Sequence, residues 1–156
     1  MKSTLLLSQI ILASGLLFVN VYNSIVDARS WGAAIPQSLQ VARQYAFRYN
    51  PANFFKYLGP VYLIIVLGNV ISLWSISGSR LYLVIALILA IFTDVLTVSY
   101  FFPRNDILFR SGDLNDIAKI RKTWLEWSRM NWVRSGLMVG CLFLTASAFK
   151  TIFLKI

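Results

Sequence analysis

Four apolar runs of about twenty residues each constrain this chain more than any other feature. They lie at about 4–26, 58–76, 81–102 and 132–153. As a helix, each is long enough to cross ~30 Å of hydrocarbon. Backbone polar groups in lipid must be satisfied within the segment, so helices are the expected form. Composition agrees: 58% of residues are hydrophobic, only 13% are charged, and the mean hydropathy is +0.67. A soluble domain is nearer half apolar and a quarter charged. The chain is expected to be all-α, an integral membrane four-helix bundle forming a single transmembrane domain over residues 1–156. The first run follows Lys2 as a signal peptide would, yet it exceeds the usual ~7–15-residue apolar core of a signal. No small-x-small cleavage site follows it, so a retained helix is expected.

The connections are unequal. Ser77-Gly78-Ser79-Arg80 is the only sequence between the second and third runs, which forces an antiparallel pair. The other two connections, about 27–57 and 103–131, must then share one side. Both carry the pattern of amphipathic interfacial helices. In the first, Pro36 suits a first helical position, and Leu39, Ala42, Ala46 and Tyr49 recur at three- and four-residue steps between Arg43 and Arg48. Asn50-Pro51 stops the run, and Phe54, Phe55 and Tyr57 follow as an aromatic patch. In the second, Ser111-Gly112-Asp113 suits a helix start, with Asp113 and Asp116 near the positive end of the dipole. Ile117, Ile120, Trp124 and Trp127 then form one face, and no breaker separates this helix from the fourth span.

Fifteen Lys and Arg oppose six Asp and Glu, for a net charge of +9. Eleven of the fifteen lie on the side of the long connections and four on the other. The positive-inside rule predicts cytoplasmic long connections and termini outside. Basic residues placed beside apolar runs fit a lipid headgroup surface rather than nucleic acid. No histidine is present and Cys141 is the single cysteine. Histidine-ligated metals, Ser-His or Cys-His nucleophile pairs, an internal disulfide and cysteine metal clusters are therefore excluded. No metal site is expected.

Polar groups inside membrane helices are expensive and usually face the bundle interior. Asn20 and Asn23 share one face of the first helix with Asp27, and Asn69 is expected near mid-depth on the second. Asp94 lies about eight residues from the end of the third helix, hence ~12 Å deep. Trp124, Trp127, Asn131 and Arg134 form one stripe on the fourth, from which Arg134 reaches down toward Asp94. These positions are expected to converge in the half of the bundle nearest the long connections, with Asp94 and Arg134 approaching directly or through one atom. A pocket there would be covered by residues 36–49 and by Phe54, Phe55 and Tyr57. Purely structural roles stand beside this reading: interhelical hydrogen bonds for the asparagines, an ion pair for Asp94 and Arg134, and an interfacial aromatic belt for Trp127 and Trp132. Met130, Met138 and Cys141 are expected to be packing residues.

The third run ends in Ser99-Tyr100-Phe101-Phe102-Pro103-Arg104-Asn105, and Trp124 leads to Asn131 and Arg134 at the start of the fourth. A Pro-x-Asn exit from helix three, then a Trp-rich helix carrying Asn-x-x-Arg into helix four, resembles the anthrone oxygenase-like family of small four-helix membrane proteins. The resemblance extends over most of the chain, with Pro103, Asn105, Trp124, Asn131 and Arg134 at the matching positions. It implies oxidation of an anthrone to an anthraquinone by molecular oxygen with no cofactor, and for this chain a hydrophobic aromatic, polyketide-type or isoprenoid substrate is expected. The absence of histidine departs from a histidine-assisted reaction of that kind. Even so, an electron-rich carbanion can hand an electron to oxygen directly, so the protein need only supply a base, a place for negative charge and shelter from water. Asp94 is the only mid-membrane carboxylate available as base, and Arg134 with Asn131 would steady the anion. Asn20, Asn23, Asn69, Trp124 and Asn105 would bind the substrate. Two other functions remain open: a non-catalytic protein binding a lipid or hydrophobic small molecule, and an accessory subunit of an oligomer or membrane complex.

Overall fold

The computed structural model describes residues 2–46, 51–111 and 113–153, and among these all regular structure is helical. Arg48, Tyr49, Asn50 and Gly112 lie outside the described residues. Four stretches are long and apolar enough to cross a membrane: Ser3–Gly32, Ala52–Ser72, Ser77–Arg110 and Ile117–Phe153. They form the expected antiparallel four-helix membrane bundle. α1 (Lys2–Tyr22) continues through a π-helical turn, Asn23–Asp27, into α2 (Ala28–Gly32). The short α3 (Gln37–Tyr45) follows, then α4 (Pro51–Ser72) and α5 (Ser77–Leu96). A second π turn, Thr97–Phe101, leads to α6 (Phe102–Asp106), and a third, Ile107–Ser111, ends that span before α7 (Ile117–Phe153).

Several boundaries differ from expectation, each for a local reason. The first helix runs to Gly32 because Ala28 and Trp31 are buried, although Asp27 and Arg29 interrupt the apolar pattern. α4 begins at Pro51, where proline's missing N–H would have no helical partner anyway. It ends at Ser72, so the tight connection is Leu73–Ile76 rather than 77–80. Arg80 pins that turn by donating from Nε to the Trp74 carbonyl at 2.8 Å and lying over the Trp74 ring at 4.9 Å. The third span passes through Pro103 instead of ending there. Proline sits in the first turn of α6, directly after a π turn that absorbs the break in the hydrogen-bond ladder. Asp116, not Ser111, starts α7, with its Oδ1 accepting from Lys119 N at 3.1 Å. The amphipathic segment of the second connection and the fourth span are one helix of 37 residues.

Three buried layers stack along the bundle. Leu6, Val70, Leu73, Leu83 and Ala148 fill the end that holds the tight turn. Ala13, Leu16, Phe55, Tyr62, Val66, Ala90, Met138 and Cys141 fill the middle. At the end of the long connections, Trp31, Leu39, Phe101, Leu108, Phe109, Ile120 and Trp127 form an aromatic core. Trp127 stands edge-on to both Trp31, at 5.2 Å, and Phe101, at 5.6 Å. It is thus a core residue, not part of an interfacial belt, whereas Trp132 is half exposed on the outer face. α3 caps this layer: Leu39 is buried, and Arg43 donates to the carbonyls of Leu108 at 2.7 Å and Ile107 at 3.0 Å. Burial lowers the Arg43 pKa, and the field of Asp113 opposes that shift.

Candidate functional site

Arg134 lies on the inward face of α7, one turn beyond Asn131, and is 2% exposed. Such a buried cation needs either a counter-charge or polarizable surroundings. It has the second. The guanidinium is sandwiched between the rings of Phe55 on α4 and Phe101 in the second π turn, 4.1 Å from each centroid. Its Nη2 donates to Asn131 Oδ1 at 2.6 Å. Asn131 Nδ2 in turn donates to the Asn20 carbonyl at 2.8 Å and to Ser24 Oγ at 2.7 Å, across to the first helix. With its acceptor and both donors used, the Asn131 amide has one orientation, and that orientation fixes the guanidinium. Arg134 Nε is left buried with no hydrogen-bond partner.

Arg134 also lines a cavity of about 10 Å³, room for about one water. Leu16, Phe55, Ala90, Thr93, Thr97 and Met138 form its apolar or internally bonded walls. Its polar lining is Asn20, Tyr62, Asp94 and Arg134. Asn20 Oδ1 and the Tyr62 hydroxyl, like Arg134 Nε, are buried without a partner. The Asp94 carboxylate forms no hydrogen bond or ion pair with any described residue and is half-buried against Gly59. A Cβ added at Gly59 would stand 2.8 Å from Asp94 Oδ1, so glycine is what lets the carboxylate lie against α4. Asp94 and Arg134 therefore face one space without forming the direct ion pair that the sequence allowed.

The other expected site residues are distributed differently. Asn131 touches Arg134 but does not line the cavity. Asn23 is buried in the first π turn, away from it. Asn69 lies at the opposite end of α4, in a separate polar chain: it donates to Gln9 Oε1 at 2.7 Å and to the Leu5 carbonyl at 3.1 Å, while Gln9 donates to Thr145 Oγ1 at 2.7 Å. Asn69 sits in the last turn of α4 because that helix ends at Ser72 rather than at Ile76. Trp124 also lies elsewhere, its Nε1 donating to the Ala28 carbonyl at 2.6 Å and its ring packed on Gly32, where any side chain would collide with it. Phe55 is a wall of the site rather than a lid over it, and Tyr57 points outward.

Asn105 belongs to a second opening of about 300 Å³, at the end of the bundle with the long connections. Ala52, Asn53 and Lys56 of α4 line one side, and Phe102, Asn105, Asp106 and Arg110 line the other. The opening lies on the seam between α4 and the third span; the inner cavity borders the same two elements, together with α1 and α7, and shares no lining residue with it.

The anthrone oxygenase family matches residues 51–144, more than half of the chain. The chain belongs to that family. No curated protein and no solved structure shows a significant match. The part matched to the anthrone oxygenase family contains α4, the whole third span and most of α7. Both sides of the seam, with Phe55, Gly59, Tyr62, Asp94, Asn105, Asn131 and Arg134, fall inside it. Asn20, Asn23 and Ser24 fall outside, so the match is narrower than the resemblance read from the sequence. Among the described residues no three acidic, cysteine or histidine side chains come together as metal ligands would. What the arrangement offers is a carboxylate, a fixed cation, a phenol and an amide oxygen around one small, mostly apolar space.

Proposed function

We propose that the chain is a membrane-embedded, cofactor-independent oxygenase-like enzyme acting on a hydrophobic aromatic, polyketide-type or isoprenoid small molecule. The observation that carries this reading is the pair Asp94 and Arg134, which face one enclosed cavity with the carboxylate and the Nε both unpartnered. For an anthrone, Asp94 takes a proton from the ring methylene and leaves a delocalised oxyanion, which Arg134 and Tyr62 stabilise as preorganised donors. The anion passes one electron to dioxygen, and the resulting radical and superoxide join as a peroxide. That peroxide takes back the proton and loses water. The sum is one anthrone and one dioxygen to one anthraquinone and one water. A substrate reaches this chemistry from the bilayer, and the cavity must widen at the Asp94–Gly59 contact to admit it.

The test is oxygen uptake by the purified protein in lipid nanodiscs, with anthrone as substrate and a chelator present. Stoichiometric oxygen consumption with quinone formation, above the rate of empty nanodiscs, supports the reading. No protein-dependent uptake overturns it.

One observation favours a second reading. At about 10 Å³ the cavity accepts a single water, which would satisfy Asn20, Tyr62, Asp94 and Arg134 together and fasten the helices around it. The protein would then be a non-catalytic binding protein or an accessory subunit. In that case Asp94→Asn lowers thermal stability, and no substrate is turned over.

The excess of eleven basic residues to four supports an orientation with the long connections in the cytoplasm and the termini outside. Ser75→Cys and Asp113→Cys proteins test it in intact cells with a membrane-impermeant maleimide. Labelling at 75 alone agrees, and labelling at 113 alone reverses the orientation.

A further inference from the structure

The outer opening on the α4 seam has features that the inner cavity does not explain. Asn105 is nine-tenths buried, and its Oδ1 accepts from Trp127 Nε1 at 2.8 Å. That bond fixes the amide orientation, because only the carbonyl oxygen can accept. The Asn105 amide nitrogen has no partner among the described residues, and its side chain lines the opening. Lys56 and Arg110, both exposed, stand on opposite sides of the same space. Asp106 borders it too and has an interaction of its own. Among the described residues the rim thus carries two cations against one carboxylate, over a buried amide donor, with Phe102 and Ala52 as apolar wall. Donors line the opening from both sides, and at about 300 Å³ the space is of small-molecule size.

We infer that this groove binds a flat aromatic carboxylate, with its oxyanion held by Asn105, Lys56 and Arg110 and its ring body against Phe102. A fork from Arg110 and a point charge from Lys56 suit a carboxylate, and the Asn105 amide adds direction. The aromatic body rests on the proposed function, and Lys56 of the groove directly follows Phe55, a wall of the inner cavity. The groove is then the docking site of an acidic substrate on its way to Asp94, and the substrate class narrows from hydrophobic aromatic to aromatic acid.

The probe is anthracene-2-carboxylate, followed by its own fluorescence on the full chain in phosphatidylcholine nanodiscs, so binding is read without turnover. Saturable binding is expected, at least tenfold tighter than for anthracene-2-carboxamide. The Lys56→Gln/Arg110→Gln protein is expected to bind at least tenfold more weakly with unchanged melting, since both side chains are exposed. Asp94→Asn is expected to keep the affinity within about twofold, so a failed oxygenase reading and a failed groove are distinguishable. Equal affinity for acid and amide, or an unaffected double variant, overturns the inference. So does displacement of the probe by a few per cent of phosphatidylglycerol in the nanodisc, which assigns the groove to a lipid phosphate instead.

Discussion

Asn131 and Arg134 are joined by a 2.6 Å hydrogen bond from Nη2 to Oδ1, and the asparagine has no other way to sit. Its two amide protons go to the Asn20 carbonyl and Ser24 Oγ on the first helix. Asn131 therefore couples the orientation of a buried cation to helix packing. Asn131→Leu removes an acceptor from Arg134 and two interhelical bonds at once. Interhelical hydrogen bonds in membranes contribute roughly 0.5–2 kcal/mol each, so a loss of about 2–4 kcal/mol is expected. Thermal unfolding in detergent measures it. A melting temperature equal to wild type would mean that Asn131 does not hold Arg134.

Asp94 makes no ion pair, so the structure changes what its removal should do. A direct buried pair with Arg134 would cost about 3–5 kcal/mol to break. A half-buried carboxylate without a partner should cost less than ~1 kcal/mol on replacement by its isosteric amide. Asp94→Asn is expected to melt close to wild type while oxygen uptake falls roughly 10²-fold or more, the usual size of a lost general base. Substrate affinity should hardly change, because only proton removal needs the carboxylate. Near-normal turnover would remove Asp94 as the base.

Gly59 supplies a gentler perturbation of the same group. The Cβ of Gly59→Ala would meet Asp94 Oδ1 at 2.8 Å, and the carboxylate end of a side chain can swing aside at little cost. The variant should fold as wild type but hold Asp94 away from its present position. A misplacement of about 1 Å is enough to cost up to ~10²-fold in rate. We expect kcat to drop with melting temperature unchanged. A variant with full kcat would show that the position of Asp94 against α4 is immaterial.

The four spans were legible because the length of an apolar run is a local property and needs no knowledge of packing. Arg134 and Asp94 were legible because a charge inside an apolar run is too costly to face lipid and so marks the bundle interior. The place of Asn69 in the last turn of α4 was not legible, since the apolar run continues past Ser72 to Ile76 and hides the end of the helix. Trp127 was misplaced for a related reason. Its spacing fits a membrane belt equally well, and only the fold reveals that Trp31 and Phe109 build a core at that level. The π turns at 23–27 and 97–101 leave no sequence signature, yet the second places Thr97 and Phe101 around Arg134. Tyr62 is one tyrosine among aromatic neighbours, with nothing local to mark its buried hydroxyl.

Gln9 is a site residue of a different kind, and its signal is plain in the sequence, because an amide deep in a leucine-rich run is as costly as Asn20. In the bundle it is fully buried and bridges Asn69 to Thr145, tying α1, α4 and α7 together at the end away from the cavity. Thr145 also donates to the Cys141 carbonyl at 2.7 Å, so the chain of bonds closes on backbone. This network does not itself line the Asp94–Arg134 space and approaches it only through Tyr62, beside which Gln9 lies. Gln9→Leu should thus separate the two halves of the molecule. Losing two buried side-chain bonds at the membrane value of roughly 0.5–2 kcal/mol each should lower stability by about 1–4 kcal/mol. Oxygen uptake per folded molecule should match wild type. If turnover falls in step with Asp94→Asn while the protein stays folded, the two polar networks act as one site, and their separation along the bundle has no functional meaning.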